Sequence, residues 1–174
     1  RLEGFSRIIG SDEQSPQGFR TRLGLRQIYD RDAGVDDLPD AGFDRRWLQG
    51  VLFGNRHYSA EIMRPGVLQL CATRSPDVVI GDQTVNVATA CEVLRDWDGR
   101  NDVASVGAHV WGELWRRLSG APTAGSGLPA VANELYAVPF DVANPVDTPR
   151  DLNLDSAAVA TRVMGELAYT VTFF

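Results

Sequence analysis

The sequence predicts a mainly α-helical fold with little sheet, and three observations support this prediction. Apolar residues recur at intervals of three or four in several segments, which is the spacing of one helical face. Ser, Asp or Pro stands where such segments begin, and Gly stands where several of them end, as is typical of helix caps. Hydrophobic residues make up 44% of the 174 positions, which is enough for one domain with a core. From this periodicity we expect about six or seven helices.

The first half of the chain contains three helical segments. The first is predicted to begin at Ser15 or Pro16, and an acidic loop over 30–41 follows it. The second is predicted over 43–53, where three apolar residues share one face: Phe43, Trp47 and Val51. Pro65 interrupts the third pattern, so we predict two short helices there instead of one.

The second half contains two strongly periodic helices and two segments with extended character. We predict one helix over 84–97 and another that begins at Asp102, its cap, and ends at Leu118. A short extended segment is predicted over 135–140, before a stretch that three prolines keep irregular. The β-branched and aromatic run 169–174 predicts a terminal strand.

These elements predict a single domain over 1–174 with three regions. Residues 1–118 form a helical region, and 119–154 form a Gly- and Pro-rich loop with the extended segment. Residues 155–174 form a terminal helix, capped by Asp155-Ser156, and the terminal strand.

Charge and hydropathy exclude two classes of partner. The net charge is −6, all 17 basic residues are Arg, and they form pairs but no stripe. Because nucleic-acid binding needs a basic surface that displaces counterions, we predict no nucleic-acid partner. No apolar run approaches the ~20 residues that a membrane-spanning helix needs, so we predict no membrane span.

The two cysteines, Cys71 and Cys91, predict a disulfide if the chain is secreted. The alternative is a pair of buried free thiols, which pack as small hydrophobic side chains. Two cysteines without histidine partners make a poor zinc site, and the acidic loop over 30–41 lacks the spacing of a calcium-binding loop. We therefore predict no metal and no cofactor.

Five residues are candidates for catalysis, and a structural role is the better interpretation of each. No Ser or Cys is matched to His57, so it is predicted to be a packing or surface residue, and His109 is predicted at the edge of the core. Asp96 and Asp98 are two residues apart at a helix end, which favours capping and pairing with Arg over acid–base catalysis. Ser126 lacks the full nucleophile-elbow pattern and lies in a Gly-rich loop.

Several strings, in order, resemble the large subunit of the penicillin acylase family of N-terminal nucleophile hydrolases. The similarity is greatest to its branch of aculeacin A acylases and acyl-homoserine lactone acylases. The strings are LEGFSRIIG (2–10), RTRLGL (20–25), LFGNRHY (52–58), ACEVL (90–94), WDGR (97–100), GAH (107–109), VPFD (138–141) and DTPR (147–150). Each string alone is weak, but their common order over roughly 2–155 identifies the family.

The resemblance implies a fold and an activity for a longer parent protein. This chain would be the helical part of the α/β large (beta) subunit of a secreted or periplasmic acylase. In this family a precursor cleaves itself and exposes a Ser, whose hydroxyl attacks the amide carbonyl while its own α-amine acts as base. The implied substrate is an N-acyl amide: a lipopeptide, an acyl-homoserine lactone or a β-lactam side chain. The implied partners are the other chains of the same processed precursor, with no cofactor.

The chain departs from the family pattern at its first residue, which is Arg1 and not Ser, Thr or Cys. We expect both ends to be cuts through a longer protein, with the nucleophile and the oxyanion-hole Asn upstream, so no catalytic residue is assigned here. The family also places an Arg shortly after that Asn, where it orients the hydrogen bonds of the active site. Arg20 or Arg22 is the candidate, and the alternative for each is a surface or inter-subunit ion pair. The alternative for the whole chain is a non-catalytic secreted helical module that binds a partner.

Overall fold

A computed structural model of the chain describes residues 15–36, 38, 42–132 and 134–174. The predicted string 2–10 and part of the acidic loop lie outside the described residues. Within them the chain is mainly α-helical, as predicted, with two small antiparallel sheets. The elements are α1 (Phe19–Asp32), α2 (Arg45–Phe53), α3 (Tyr58–Thr73), β1 (Asp77–Ile80), β2 (Gln83–Asn86), α4 (Ala88–Asp96), α5 (Ala108–Leu118), β3 (Tyr136–Val138), β4 (Arg150–Leu152) and α6 (Ala157–Phe173).

The core lies between α3, α4, α5 and α6. Helix α6 packs against α5 and against the β1–β2 hairpin, while α3 packs against β4 and α4. Burial of apolar side chains from these helices is the main driving force for this arrangement. Among the described residues, the wholly buried members of the core are Val67, Val87, Leu94, Trp111, Leu114, Val159, Val163, Leu167 and Ala168. Each described helix is too short or too polar to cross a membrane.

Helix α3 runs through Pro65 as one helix, so the predicted break into two short helices is wrong. Pro65 lies on the exposed side, while Met63 and Val67 anchor the flanking turns in the core. That packing outweighs the hydrogen bond that proline removes. The neighbouring Gly66 allows β4 to approach closely, because a Cβ there would lie 2.5 Å from the Cβ of Leu152.

The segment predicted as a helix over 84–97 begins instead with a strand. Strands β1 and β2 form a hairpin in which Val78 pairs with Val85, and α4 starts only at Ala88. Gly81 adopts a φ of 60° at the turn, a conformation that favours glycine and tight hairpins. The valine-rich residues on both sides of Gly81 are typical of a hairpin. The helical spacing of the apolar residues that follow led to the prediction of a helix instead.

Helix α5 begins at Ala108 and not at Asp102, so the predicted start is wrong by about two turns of helix. Gly107 precedes the helix with a φ of 118°, and Val103 is fully exposed in the turn before it. A Cβ on Gly107 would lie 2.7 Å from the Cβ of Trp97. Glycine is therefore needed both for the backbone conformation and for the approach of Trp97.

The predicted terminal strand over 169–174 is wrong, since α6 continues to Phe173. Of the predicted capping pair Asp155-Ser156, Ser156 is the residue that caps the helix, and its hydroxyl accepts a hydrogen bond from the Val159 N–H. Near the other end, the buried Thr170 hydroxyl donates to the backbone oxygen of Glu166. Burial against the core outweighs the strand preference of these residues, because β-propensity depends strongly on the packing surface that is available.

A buried charge network on α6 fixes the Gly-rich loop that follows α5. Glu166 accepts hydrogen bonds from the backbone and the hydroxyl of Thr123, and its carboxylate lies 3.0 Å from Arg162 Nε. The Arg162 guanidinium also donates to backbone oxygens of Arg117, Gly120 and Pro129. Buried charges require such partners, so the network gives an otherwise flexible loop one position.

Cys71 of α3 and Cys91 of α4 form a disulfide, as predicted, with their Cα atoms 5.9 Å apart. The bond joins the helix that precedes the β1–β2 hairpin to the helix that follows it, across a sequence separation of 20. The disulfide therefore restricts the unfolded chain around the β1–β2 hairpin, which the sequence did not predict.

Replacement of both cysteines by serine should lower the free energy of unfolding by about 3 kcal/mol, because the unfolded chain regains the entropy of a loop of this size. Urea denaturation followed by circular dichroism measures the change. The wild-type protein in a strong reductant serves as the control and should lose a similar amount. Equal stability of the oxidised wild type and the double variant would contradict a stabilising disulfide.

Candidate functional site

Three of the strings that resemble the acylase family, 52–58, 97–100 and 107–109, meet at one place in the structure. The backbone N–H of His57 donates to the oxygen of Gly99 at 3.1 Å, and that of Asn101 donates to the oxygen of Asn55 at 2.9 Å. These bonds join the string 52–58 to the string 97–100, and Gly107 packs beneath Trp97. These three strings, which are separated along the sequence, are therefore neighbours at the start of α3.

A cleft of about 250 Å³ opens beside this cluster, between α1, α3 and α5. Exposed Arg20 lies at its rim, and the rings of Phe19 and Trp115 form an edge-to-face pair on its wall with centroids 5.2 Å apart. The other lining residues are Leu23, Arg56, His57, Tyr58, Ser59 and Asn101. The cleft is thus aromatic on one side and polar on the other, and both Arg candidates belong to the helix that borders it.

Arg22 lies behind the cleft and is 1% exposed. Its Nε donates to the backbone oxygen of Val146 at 2.8 Å, and its guanidinium carbon lies 5.5 Å and 5.3 Å from the ring centroids of Phe19 and Tyr58. Burial raises the pKa of the neighbouring Tyr136 hydroxyl, and the charge of Arg22 opposes that rise. These cation–π contacts hold the guanidinium in a fixed plane.

One end of the Arg22 guanidinium is unsatisfied. Its Nη2 is buried and has no hydrogen-bond partner among the described residues. A buried donor without an acceptor costs free energy, so native proteins rarely keep one without a reason. Of the two predicted Arg residues, Arg22 therefore has the environment of a buried hydrogen-bond donor, whereas Arg20 is a solvent-exposed cation.

His57 at the start of α3 belongs to a hydrogen-bonded chain with Ser59 and Trp111. The Trp111 indole N–H donates to Ser59 Oγ at 3.0 Å, and Ser59 Oγ lies 3.0 Å from His57 Nδ1. Since the serine oxygen accepts from the indole, its O–H is available to donate to Nδ1, which leaves the proton of the neutral ring on Nε2. Burial lowers the pKa of His57 below its ordinary 6.5, consistent with this neutral form.

The contact between Ser59 and His57 was missed by sequence reasoning, which found no serine matched to this histidine. Ser59 is nevertheless a poor nucleophile, because it is 2% exposed and its oxygen already accepts the Trp111 N–H. A substrate carbonyl would have to reach a buried oxygen atom. The packing role predicted for His57 is therefore confirmed, and the position of Ser59 two residues later in a helix start was the available signal.

The aromatic rings of Trp97 and Trp111 enclose His57. Their centroids lie 6.0 Å and 6.4 Å from the histidine ring. The guanidinium of Arg64 packs over Trp97 at 5.3 Å and donates to its backbone oxygen at 2.5 Å. This shell excludes water from one side of the imidazole and is the physical cause of its lowered pKa.

The remaining candidate residues lie apart from this cluster. His109 is exposed, with its ring 5.0 Å from that of Phe174, so the predicted position at the core edge is wrong because α5 presents this side to solvent. Asp98 accepts from the Arg100 N–H, which lowers the pKa of the Asp98 carboxyl, and Asp96 pairs with its neighbour Arg95 as predicted.

The other potential ligands also have structural partners. Ser126 Oγ accepts from the Leu128 N–H within the loop. In the part of the chain that the structure describes, no group of three His, Cys, Asp or Glu residues is arranged to hold a metal ion. A second cleft, of about 470 Å³, contains Arg26 paired with Asp30 and Asp147, at 2.8 Å and 3.1 Å. These ion pairs join α1 to the segment before β4, and sequence analysis gave no indication of them.

Residues 4–171 match the family model described as penicillin amidase, so the chain belongs to the penicillin amidase family. It is similar to an aculeacin-A acylase of Actinoplanes utahensis, with 38% identity over 148 residues, 85% of this chain and 17% of that protein. It is also similar to an acyl-homoserine lactone acylase PvdQ of Pseudomonas syringae pv. syringae (strain B728a), with 30% identity over 171 residues, 98% of this chain and 19% of that protein. The chain therefore spans only about a fifth of the length of these relatives.

The lowered pKa of His57 predicts a pH dependence of stability. Below pH 6.5 the unfolded histidine binds a proton before the folded one does, so stability falls as pH decreases through this range and is retained at higher pH. His57→Gln should show a shallower loss between about pH 7 and pH 5 in thermal unfolding experiments.

His109→Gln is the matched control, because His109 is exposed and the chain has only these two histidines. This variant should keep the wild-type slope of stability against pH. The same slope in His57→Gln as in the wild type would contradict burial of the imidazole.

Proposed function

We propose that this chain is part of the large subunit of a secreted or periplasmic acylase that hydrolyses the amide bond of an N-acyl substrate. The observation that carries the proposal is the match of residues 4–171 to the penicillin amidase family. The names of the relatives, acylases of aculeacin A and of acyl-homoserine lactones, support this reaction class. Lipopeptides, acyl-homoserine lactones and β-lactam side chains are the substrate classes proposed.

In this proposal the chemistry is supplied by other parts of the parent protein. A nucleophile at a newly exposed N-terminus attacks the amide carbonyl, and its own amine takes the proton. The only serine that contacts a histidine ring among the described residues is the buried Ser59. The chain covers 17–19% of its relatives, so most of an acylase lies outside it. The other chains of the same processed precursor are therefore the proposed partners.

The contribution of this chain is to support the substrate cleft and its hydrogen bonds. We propose Arg22 as a positioning residue, because its buried Nη2 retains donors that no described residue accepts. Those donors suit a carboxamide or carbonyl oxygen beside the oxyanion hole, which they would hold in orientation. Arg20 is the alternative for the same role, and its exposed position at the cleft rim suits an ion pair better.

A second candidate function is a non-catalytic secreted helical module that binds a partner. The exposed apolar residues of α2 favour it, including Leu52 and Phe53. The two functions differ in what the gene encodes upstream of residue 1. A processing site followed by Ser supports the acylase, and an unrelated domain supports the binding module.

The isolated chain should show no amide hydrolysis above background with N-acyl amides of short or long acyl chains. Release of the free amine, measured by liquid chromatography, tests this, and the parent protein with all its chains provides the positive control. The reason is that nucleophile, base and oxyanion hole belong elsewhere. Turnover by the purified 174-residue chain would contradict the proposal.

In the processed parent enzyme, Arg22→Ala should lower kcat by about 10–100-fold with little change in KM, because the oxyanion-hole hydrogen bonds lose their orientation. Arg22→Lys keeps the charge but not the forked donors and should restore only part of the rate. Added guanidinium ion should rescue Arg22→Ala, which a purely structural loss would not allow.

Arg20→Ala is the matched control on the same helix, and its kcat should stay near the wild-type value. Thermal unfolding and the extent of processing establish that each variant is folded. Full activity of a folded Arg22→Ala enzyme would contradict the assigned role, and loss of activity in Arg20→Ala alone would transfer the role to Arg20.

A further inference from the structure

Helix α2 is amphipathic, yet none of its residues is buried. Leu48 and Leu52 lie one turn apart and are 49% and 63% exposed, so together they form an apolar ridge along the helix. Phe43 extends this ridge before the helix begins, with its ring 4.9 Å from that of Trp47. These residues, Phe43, Trp47, Leu48 and Leu52, are called the α2 ridge below.

The chain's own core does not account for α2. Isolated helices of nine residues are marginal in water, and helices in proteins gain most of their stability from a buried apolar face. The Asp44 carboxylate caps the start of α2 by accepting the Trp47 N–H at 2.7 Å, but a cap supports only the first turn. An amphipathic helix without a buried face is typical of a surface that another polypeptide covers.

A groove of about 560 Å³ lies beside α2. Its lining combines apolar side chains, including Trp47 and Val51, with the charged groups of Asp30, Asp36 and Arg56. The exposed apolar ridge therefore lies beside a concave surface of mixed polarity, a combination of apolar core and polar rim that suits a protein interface.

We propose that the α2 ridge docks against the remainder of the acylase polypeptide, the part that its relatives carry beyond the matched stretch. This inference rests on the proposed function, and two observations favour this occupant. The chain covers only 17–19% of the relatives, so a large covalent or processed partner is expected. The helix also contains Arg45 and Arg46 and no carboxylate beyond the Asp44 cap, so acidic groups on that polypeptide would complement it.

A second copy of this chain is a less complementary occupant. Pairing of α2 with itself would bring two Arg45–Arg46 pairs together, with Asp44 as the carboxylate at the start of each helix. Like charges across an interface suppress association, whereas complementary charges favour it. The two occupants therefore predict different behaviour of the isolated chain in solution.

The test uses the chain co-expressed with the polypeptide encoded on either side of it in its gene. Leu48→Gln/Leu52→Gln removes the ridge while keeping good helix formers. It should weaken association with the flanking polypeptide at least about 10-fold in a titration by biolayer interferometry. Val103→Gln/Val106→Gln is the matched control, since these valines are also exposed but lie outside α2, and its affinity should equal that of the wild type.

Hydrogen exchange measured by mass spectrometry gives an independent readout that does not depend on a variant. Amides of α2 should exchange rapidly in the isolated chain and at least about 10-fold more slowly in the complex. Unchanged affinity of the ridge variant, or unchanged exchange of α2 in the complex, would overturn the proposal. A wild-type chain that dimerises alone, and loses dimerisation in the ridge variant, would also overturn it in favour of a second copy.

The amide-hydrolysis assay on the same complex separates this inference from the proposed function. If the complex docks through α2 but hydrolyses no N-acyl amide, the result supports the docking surface and contradicts the acylase function. If the complex hydrolyses the amide and the ridge variant associates with wild-type affinity, the result supports the acylase function and contradicts the docking surface.

Discussion

The hydrogen bond from the Trp111 indole to the Ser59 hydroxyl connects the core of the molecule to its cleft. Trp111 is wholly buried among the core helices, so its N–H needs a partner, and Ser59 in the first turn of α3 provides it. That contact fixes the start of α3 and with it Tyr58, whose ring covers the Arg22 guanidinium of α1. The cleft wall therefore depends on a polar contact made by the most deeply buried aromatic residue.

The spacing of apolar residues predicted those helices whose buried face follows that spacing. It failed where contacts with other elements decide the backbone conformation. Ser156 and the helix after it were predictable from a cap and an apolar stripe. Pro65 was misleading, because the surrounding turns of α3 are held by packing that local propensity does not contain. For the cleft, the sequence indicated Arg22 through family resemblance and His57 through its residue type. It could not indicate the contact between Ser59 and Trp111, because these residues are 52 positions apart.

The structure separates residues that complete their contacts within this chain from those that do not. The Glu166 carboxylate finds its partners in Thr123 and in the Arg162 guanidinium, 3.0 Å away, although Arg162 Nε itself makes no hydrogen bond among the described residues. In contrast, Arg22 Nη2 has no acceptor among the described residues, and the α2 ridge exposes apolar side chains. On the proposed function, other parts of the acylase polypeptide would cover these groups.

The most direct measurement is covalent labelling of the processed parent enzyme with a serine-reactive sulfonyl fluoride, followed by peptide mass spectrometry. If this chain supports the chemistry without performing it, the adduct is found on an N-terminal Ser outside residues 1–174, and no serine within them is labelled. An adduct on Ser59, or on any other serine of this chain, would contradict a supporting role and would assign the nucleophile to the chain itself.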